Sequence, residues 1–321
     1  MNQRIMIPDT DLSLCPVGLG TAAAGAKWSG KEADAIFDTY IDMGGNLIDT
    51  ARVYQEWMPG GEGRSESVVG EWSSREKKRN SFILMTKGGH PRFRGPQDDL
   101  HIPRMTPADM REDLELSLKA LRTDVIDIYF YHRDNRNQTI EEEIETMEQF
   151  RKEGKIRYYG CSNWSAQRME EADEYCREHG YRGFVADQVL FNMGVQHMNP
   201  PQDDTLECMK GAVLEYHRKN LRCLAVAYTS IAGGFFQKYL SGADVTGSPY
   251  YTEGNIRLAG RIQKLAEKYG ATISQVLIGY LMTGEFPCAA LYGPKNAAQI
   301  REAMDTLDIP FERADYEAEI M

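Results

Sequence analysis

The sequence predicts an α/β fold, a closed (β/α)8 TIM barrel with a short N-terminal β-hairpin and extra C-terminal helices. Three observations lead there. From residue 17 onward, short apolar runs alternate with amphipathic stretches of helical period, the pattern of parallel strands joined by right-handed crossovers. Eight such strand–helix pairs can be counted, and 321 residues suits a single barrel of eight. The rival doubly wound sheet needs a Gly-x-Gly-x-x-Gly turn after its first strand, whereas Gly18-Leu19-Gly20-Thr21-Ala22-Ala23-Ala24 lacks the third glycine. No linker, repeat or low-complexity segment interrupts the chain, so residues 1–321 are expected to form one domain.

Taken in order, residues 4–14 read as a hairpin, with Ile5-Met6-Ile7 and Leu12-Ser13-Leu14 either side of a Pro8-Asp9-Thr10-Asp11 turn. The first barrel strand, Val17-Gly18-Leu19-Gly20, ends on glycine. In the helix expected over 31–43, Ala33, Ile36, Phe37, Tyr40 and Ile41 recur at three- and four-residue spacing. Strand 46–48 runs into Asp49, a Gly/Pro-rich loop over 54–64 and a helix over 65–72. Strand 81–87 leads through a long polar loop, 88–105, to a helix that Thr106 can cap and Pro107 can open, since a missing N–H is harmless at the first helical position. Strand and helix then alternate at 125–131 and 139–152, 155–161 and 165–179, 184–189 and 205–219. Strand 221–228 precedes helices over 256–269 and 274–282, and strand 288–292 precedes a helix over 297–307.

Composition narrows the function. A net charge of −11 opposes binding to nucleic-acid backbones, which demands a basic face. No apolar run approaches the ~20 residues that span a bilayer, and residues 1–10 lack the cationic start and apolar core of a signal peptide. The six cysteines are scattered without a Cys-x-x-Cys pair or a histidine at metal-ligand spacing. Cys15, Cys161, Cys223 and Cys288 fall in apolar strands, where cysteine packs as a small hydrophobe. A reduced, cytoplasmic protein with no metal, nucleic-acid or membrane partner is expected.

Three consecutive strands finish in an ionisable group: Asp49, Lys87 and His132. A carboxylate at the end of a buried strand requires a partner, and Lys87 can supply it. In a barrel these ends share the rim that carries chemistry, with Tyr54 just beyond Asp49. An ammonium beside a phenol lowers its pKa from about 10, which would tune Tyr54 as a general acid, and His132 could orient a carbonyl. Taken singly, each has a plainer role as an ion pair, a rim histidine or a packed aromatic. Their joint appearance at successive strand ends favours chemistry.

At these residues the chain resembles the aldo-keto reductases. The likeness runs through Gly18-Leu19-Gly20-Thr21, the stretch 46–54, Gly63-Arg64-Ser65-Glu66, the strand end at Lys87, Tyr131-His132, Gly154-Lys155-Ile156-Arg157, Cys161-Ser162-Asn163-Trp164 and the stretch 293–302. The resemblance implies that Asp49, Tyr54, Lys87 and His132 form the family's catalytic tetrad and that the barrel binds NADP(H). It assigns the cofactor to Gly20, Thr21 and Asp49, with Ser162, Asn163 and Gln188 holding the carboxamide and Tyr228 stacked on the nicotinamide. Thr229, Ser230, Ile231 and Gly233 correspond to the pyrophosphate loop, where the family's usual Ser-Pro-Leu is replaced by Thr229-Ser230-Ile231. Gly293, Lys295, Gln299 and Glu302 correspond to the adenosine side. Lys295 favours NADP over NAD, and Ala303 replaces an asparagine that would contact adenine.

Trp28, Trp57, His90 and Tyr131 are expected to line the substrate mouth. The arginines of the long loop, Arg92, Arg94 and Arg104, could meet an anionic or polyhydroxylated substrate, but solvating the loop against Asp98 and Asp99 is the stronger expectation. The function expected is hydride transfer between NADPH and an aldehyde or ketone, with a sugar or other polyhydroxylated carbonyl as the preferred substrate class. A cofactor-binding regulatory subunit, resembling the β subunits of potassium channels, is the alternative from another class. A Schiff-base aldolase or sugar isomerase built on Lys87 is a third.

Overall fold

The computed structural model describes residues 4–320; residues 1–3 and Met321, the outermost parts of the expected domain, lie outside the described residues. Strands β1 (Ile5–Met6) and β2 (Ser13–Leu14) pair antiparallel as the hairpin. The barrel strands are β3 (Val17–Gly20), β4 (Leu47–Asp49), β5 (Ile83–Gly88), β6 (Ile126–Tyr131), β7 (Ile156–Ser162), β8 (Ala186–Leu190), β9 (Leu224–Tyr228) and β10 (Cys288–Tyr292). All pair in parallel with their sequence neighbours, and β10 closes on β3. This is the (β/α)8 barrel that the alternation predicted.

The helices are α1 (Gly30–Asp42), α2 (Arg64–Arg75), α3 (Pro107–Leu121), α4 (Ile140–Lys152), α5 (Ala166–His179), α6 (Ala212–Lys219), α7 (Phe235–Leu240), α8 (Glu253–Tyr269), α9 (Ile273–Met282), α10 (Ala297–Asp305) and α11 (Arg313–Ile320). Helix α3 begins as its sequence dictates. Thr106 Oγ1 accepts from Asp109 N, and Asp109 Oδ2 accepts from Thr106 N, each at 3.2 Å, so two otherwise orphaned donors are satisfied reciprocally. The expected helix over 205–219 starts late, at Ala212. Residues 207–209 instead extend along β8, with Leu190 N donating to Glu207 O and Met209 N to Leu190 O. Pairing with a neighbouring strand overrides local helical preference there.

Alternation along each strand divides the buried residues into two cores. Inside the barrel lie Leu47, Met85, Ile128, Phe130, Val226 and Leu291, capped from below by Ile7, Leu12 and Leu14 of the hairpin segment. Their neighbours Ile48, Leu84, Tyr129, Tyr131 and Cys161 face the helices. The parity continues upward, so Asp49 follows Leu47 on the inner face, Lys87 follows Met85 and His132 follows Phe130. All six cysteines are buried free thiols, although Cys15 and Cys223 lie just outside β2 and β9 rather than within strands.

Candidate active site

Inner-face parity brings the ends of β4, β5 and β6 together. Lys87 is wholly buried, and its Nζ donates to Asp49 Oδ2 at 3.0 Å, to the Thr50 carbonyl at 2.7 Å and to the Tyr54 hydroxyl at 2.9 Å. Asp49 Oδ1 also accepts from Gln188 Nε2 at 2.8 Å. The expected Asp49–Lys87–Tyr54 chain is therefore present. Tyr54 is held by consecutive turns, with Tyr54 N donating to Ala51 O and Gly61 N to Met58 O. A Cβ on Gly61 would stand 1.9 Å from the Gln55 carbonyl, so the turn requires glycine.

The electrostatics depart from expectation at Tyr54. Burial raises its pKa, Lys87 pulls it down, and the outcome lies above the ordinary tyrosine value rather than below it. The phenol is accordingly protonated near neutrality. Because Lys87 can only donate, the phenol oxygen accepts that bond and keeps its own proton to donate. His132 is buried and its Nδ1 has no hydrogen-bond partner. Burial, followed by His90, Lys87 and Arg133, pushes its pKa well below 6.5, so the ring is neutral. His90 packs edge-on against it at 4.7 Å between centroids and is itself pushed down to about 3, chiefly by burial.

Above these residues opens a cavity of about 820 Å3, into which Tyr54 and His132 face. Of the residues expected at the cofactor, Gly20, Asp49, Ser162, Asn163, Gln188 and Tyr228 line it. So do Thr229, Ser230, Ile231 and Gly233, as well as Gly293, Lys295 and Gln299 on the far side. Tyr228 donates to Asn163 Oδ1 at 2.8 Å, and Asn163 is held at φ 61°, the left-handed region that asparagine adopts more readily than most residues. Thr229 and Ala232 also have positive φ, shaping the loop whose Gly233 sits at φ 61°.

Several expected residues lie elsewhere. Thr21 is buried behind the rim, its hydroxyl donating to Asp49 O at 2.8 Å. Glu302 lies off the cavity and accepts from the Thr272 hydroxyl at 2.7 Å. Tyr131 is not at the mouth. Its parity turns it outward among the helices, where its hydroxyl donates to Glu143 O at 3.0 Å. Trp28 is likewise buried against Phe37, with its indole N–H donating to Pro294 O at 3.0 Å. Trp57 is exposed and meets Phe93 edge-on at 5.5 Å, while His90 lies behind His132. The guanidinium groups of the loop arginines do not pair with Asp98 and Asp99, although the Arg94 backbone N–H donates to Asp98. Arg92 and Arg94 stand 3.5 Å from Glu56, and Arg104 is 3.2 Å from Asp113, so they tether the loop to the barrel.

Residues that the sequence did not single out also line the cavity, among them Lys27, Arg133 and Lys238. With Lys295 they set four cations around the cavity; Arg133 is paired with Asp203 and the one acidic lining residue, Asp49, with Lys87, which leaves three lysines open to it. That balance in a chain of net charge −11, together with the glycine-shaped loop at Gly233 and Gly234, fits a large anionic cofactor such as a dinucleotide. Among the described residues, no group of three or more His, Cys, Asp or Glu is placed to hold a metal ion, and no helix is long and apolar enough to cross a membrane.

The sequence also matches known proteins over most of its length. Residues 16–318 match the sequence model of the Aldo/keto reductase family. An NADP(+) aryl-alcohol dehydrogenase of Phanerodontia chrysosporium is 27% identical over 328 residues, covering 95% of this chain and 82% of that protein. An aldo-keto reductase of Bacillus subtilis is 29% identical over 311 residues, 92% of this chain and 85% of its own. An aryl-alcohol dehydrogenase of Pestalotiopsis microspora is 31% identical over 189 residues, but the match spans 56% of this chain and about half of that protein, 48%.

Proposed function

Because the chain belongs to the aldo/keto reductase family of oxidoreductases, we propose that it reduces an aldehyde or ketone with NADPH and that Tyr54 delivers the proton. The observation that carries this reading is the Tyr54 hydroxyl, 2.9 Å from a buried ammonium that Asp49 fixes, facing a cavity ringed by cations. Lys27, Lys238 and Lys295, the Gly233 loop, Ser162, Asn163 and Gln188 are the residues that would hold the cofactor, which when bound supplies the hydride.

The chain's own part is placement and proton transfer. Lys87 fixes the phenol oxygen and favours negative charge on it as the proton departs; Asp49 keeps the ammonium in position. Neutral His132 orients the carbonyl toward the Tyr54 proton without competing as an acid. Preorganised donors of this kind need no rearrangement when charge develops. The exposed cation Lys295 supports NADPH over NADH. Relatives named for aryl alcohols support aromatic carbonyls, and the polar residues of loop 88–105 support polyhydroxylated ones.

The test is a panel of benzaldehydes and sugar carbonyls, followed by oxidation of NADPH and NADH in parallel. Turnover with NADPH ahead of NADH is the expected result. Failure of every carbonyl with both cofactors would overturn the reading.

A further inference from the structure

A second cavity of about 280 Å3 adjoins the first, and Arg133 and Asn163 line both. The His132 carbonyl accepts from Arg133 at 3.0 Å and Asn163 at 3.3 Å, so the junction lies directly behind the proposed catalytic histidine. One wall, from loop 88–105, is apolar: Pro91, Leu100 and Pro103. The other is polar and comes from the turn after β6 and from residues 204–207: Asp134, Asn137 and Glu207. His101 spans the gap, its ring nitrogens 3.0 Å from Asp99 and 2.8 Å from Asp204, and so ties the apolar wall to the polar one.

The polar wall is not built for an anion. Arg133 is committed to Thr205 at 2.9 Å and Asp203 at 3.1 Å, and Arg136 to Glu207 at 3.3 Å. One buried acceptor is left over. Asp134 Oδ1 takes Arg168 at 3.2 Å, but Oδ2 has no hydrogen-bond donor, and Arg136 stands 3.8 Å off. That oxygen has no surface open to the cavity, so what the polar wall offers a ligand is the exposed Asn137 amide and the partly exposed Glu207 carboxylate. Donors and acceptors facing an apolar wall match the two characters of a sugar ring, its hydroxyl edge and its C–H face.

We propose that this second cavity is a sugar-ring subsite, and that the substrate is a glycoside with one ring reacting at Tyr54 and its neighbour held here. The placement of the reacting ring rests on the reductase reading above. There a ring ketone gains a hydride on carbon from the reduced nicotinamide and a proton on oxygen from Tyr54, becoming a secondary alcohol.

The experiment is calorimetric titration of the full chain, with NADP+ present, by cellobiose, lactose and methyl β-glucoside against glucose. At least one glycoside is expected to bind tenfold or more tighter than glucose. Leu100→Trp, which fills the cavity from its apolar wall, should remove that preference, and Asn137→Ala, which adds no bulk, should reduce it several-fold. Equal binding of all four sugars, or a preference that survives both substitutions, would overturn the subsite. Binding is read without turnover, so the two readings fail separately. Glycoside preference without reduction of any carbonyl supports the subsite and removes the reductase; turnover of small carbonyls without glycoside preference removes the subsite alone.

Discussion

At opposite ends of the barrel, two carboxylates are buried against cations and finished differently. At the N-terminal end Asp127 Oδ2 accepts from Leu84 N at 2.9 Å and Arg79 at 2.8 Å, and Oδ1 accepts from Arg157 at 2.5 Å. Two guanidinium groups and a backbone donor close that network. At the C-terminal end Asp49 is equally well paired, but its partner Lys87 spends one N–H on the Tyr54 phenol. Around it are buried atoms with no hydrogen-bond partner, Gln55 Oε1, Glu66 Oε2 and His132 Nδ1. The same pairing of charge thus locks one end and leaves the other with proton-handling capacity to spare. A saturated network contributes stability, whereas an open one beside a cavity can do chemistry.

The sharpest way to break that contrast is Tyr54→Phe. Removing the proposed acid should lower kcat by roughly 10²–10⁴-fold while NADPH affinity, read by fluorescence titration, stays near wild type. Activity within tenfold of wild type would deny Tyr54 its role.

Next comes Glu66, on α2 near the open end. Burial, only partly offset by the Thr86 hydroxyl and Arg52, raises its pKa from 4.5 to about 7. The folded chain therefore holds this proton more tightly than the unfolded one. Its stabilising share is complete below pH 4.5 and is lost as pH rises to about 7, a total of up to roughly 3 kcal/mol. Urea unfolding across that range should show the decline, and Glu66→Gln should flatten it.

At the closed end, Asp127→Asn should cost roughly 1–3 kcal/mol of stability by weakening charge-assisted bonds, with kcat unaltered. A catalytic defect without a stability loss would erase the distinction between the two ends. The smallest expected effect concerns His132. Its pKa lies well below 6.5, so the reduction rate should stay flat from about pH 6 to 9 and fall only beyond the ordinary tyrosine value of about 10. An inflection near 6.5 that persists in Glu66→Gln would show an imidazole titrating in the site.

Much of this was legible locally. Strand ends at Asp49, Lys87 and His132 share inner-face parity with Leu47, Met85 and Phe130, and a two-residue period can be read from a few neighbours. The same period places Tyr131 outward, so its assignment to the mouth was avoidable from sequence. Trp28 was not recoverable in that way, because its partners, Phe37 and the Pro294 carbonyl, include one across the β10–β3 closure. Arg133 had one local signal, its place beside His132.

The sequence by itself determined the alternation of strands and helices, the helix start at Thr106 and the convergence of the charged strand ends, because each follows from spacing within a few residues. Tertiary structure decided the rest: the late start of α6, the facing of Lys27, Arg133 and Lys238 toward one cavity, and the upward shift at Tyr54. Those depend on contacts between segments far apart in the chain and on how deeply the fold buries each charge. Neither quantity can be read from neighbouring residues.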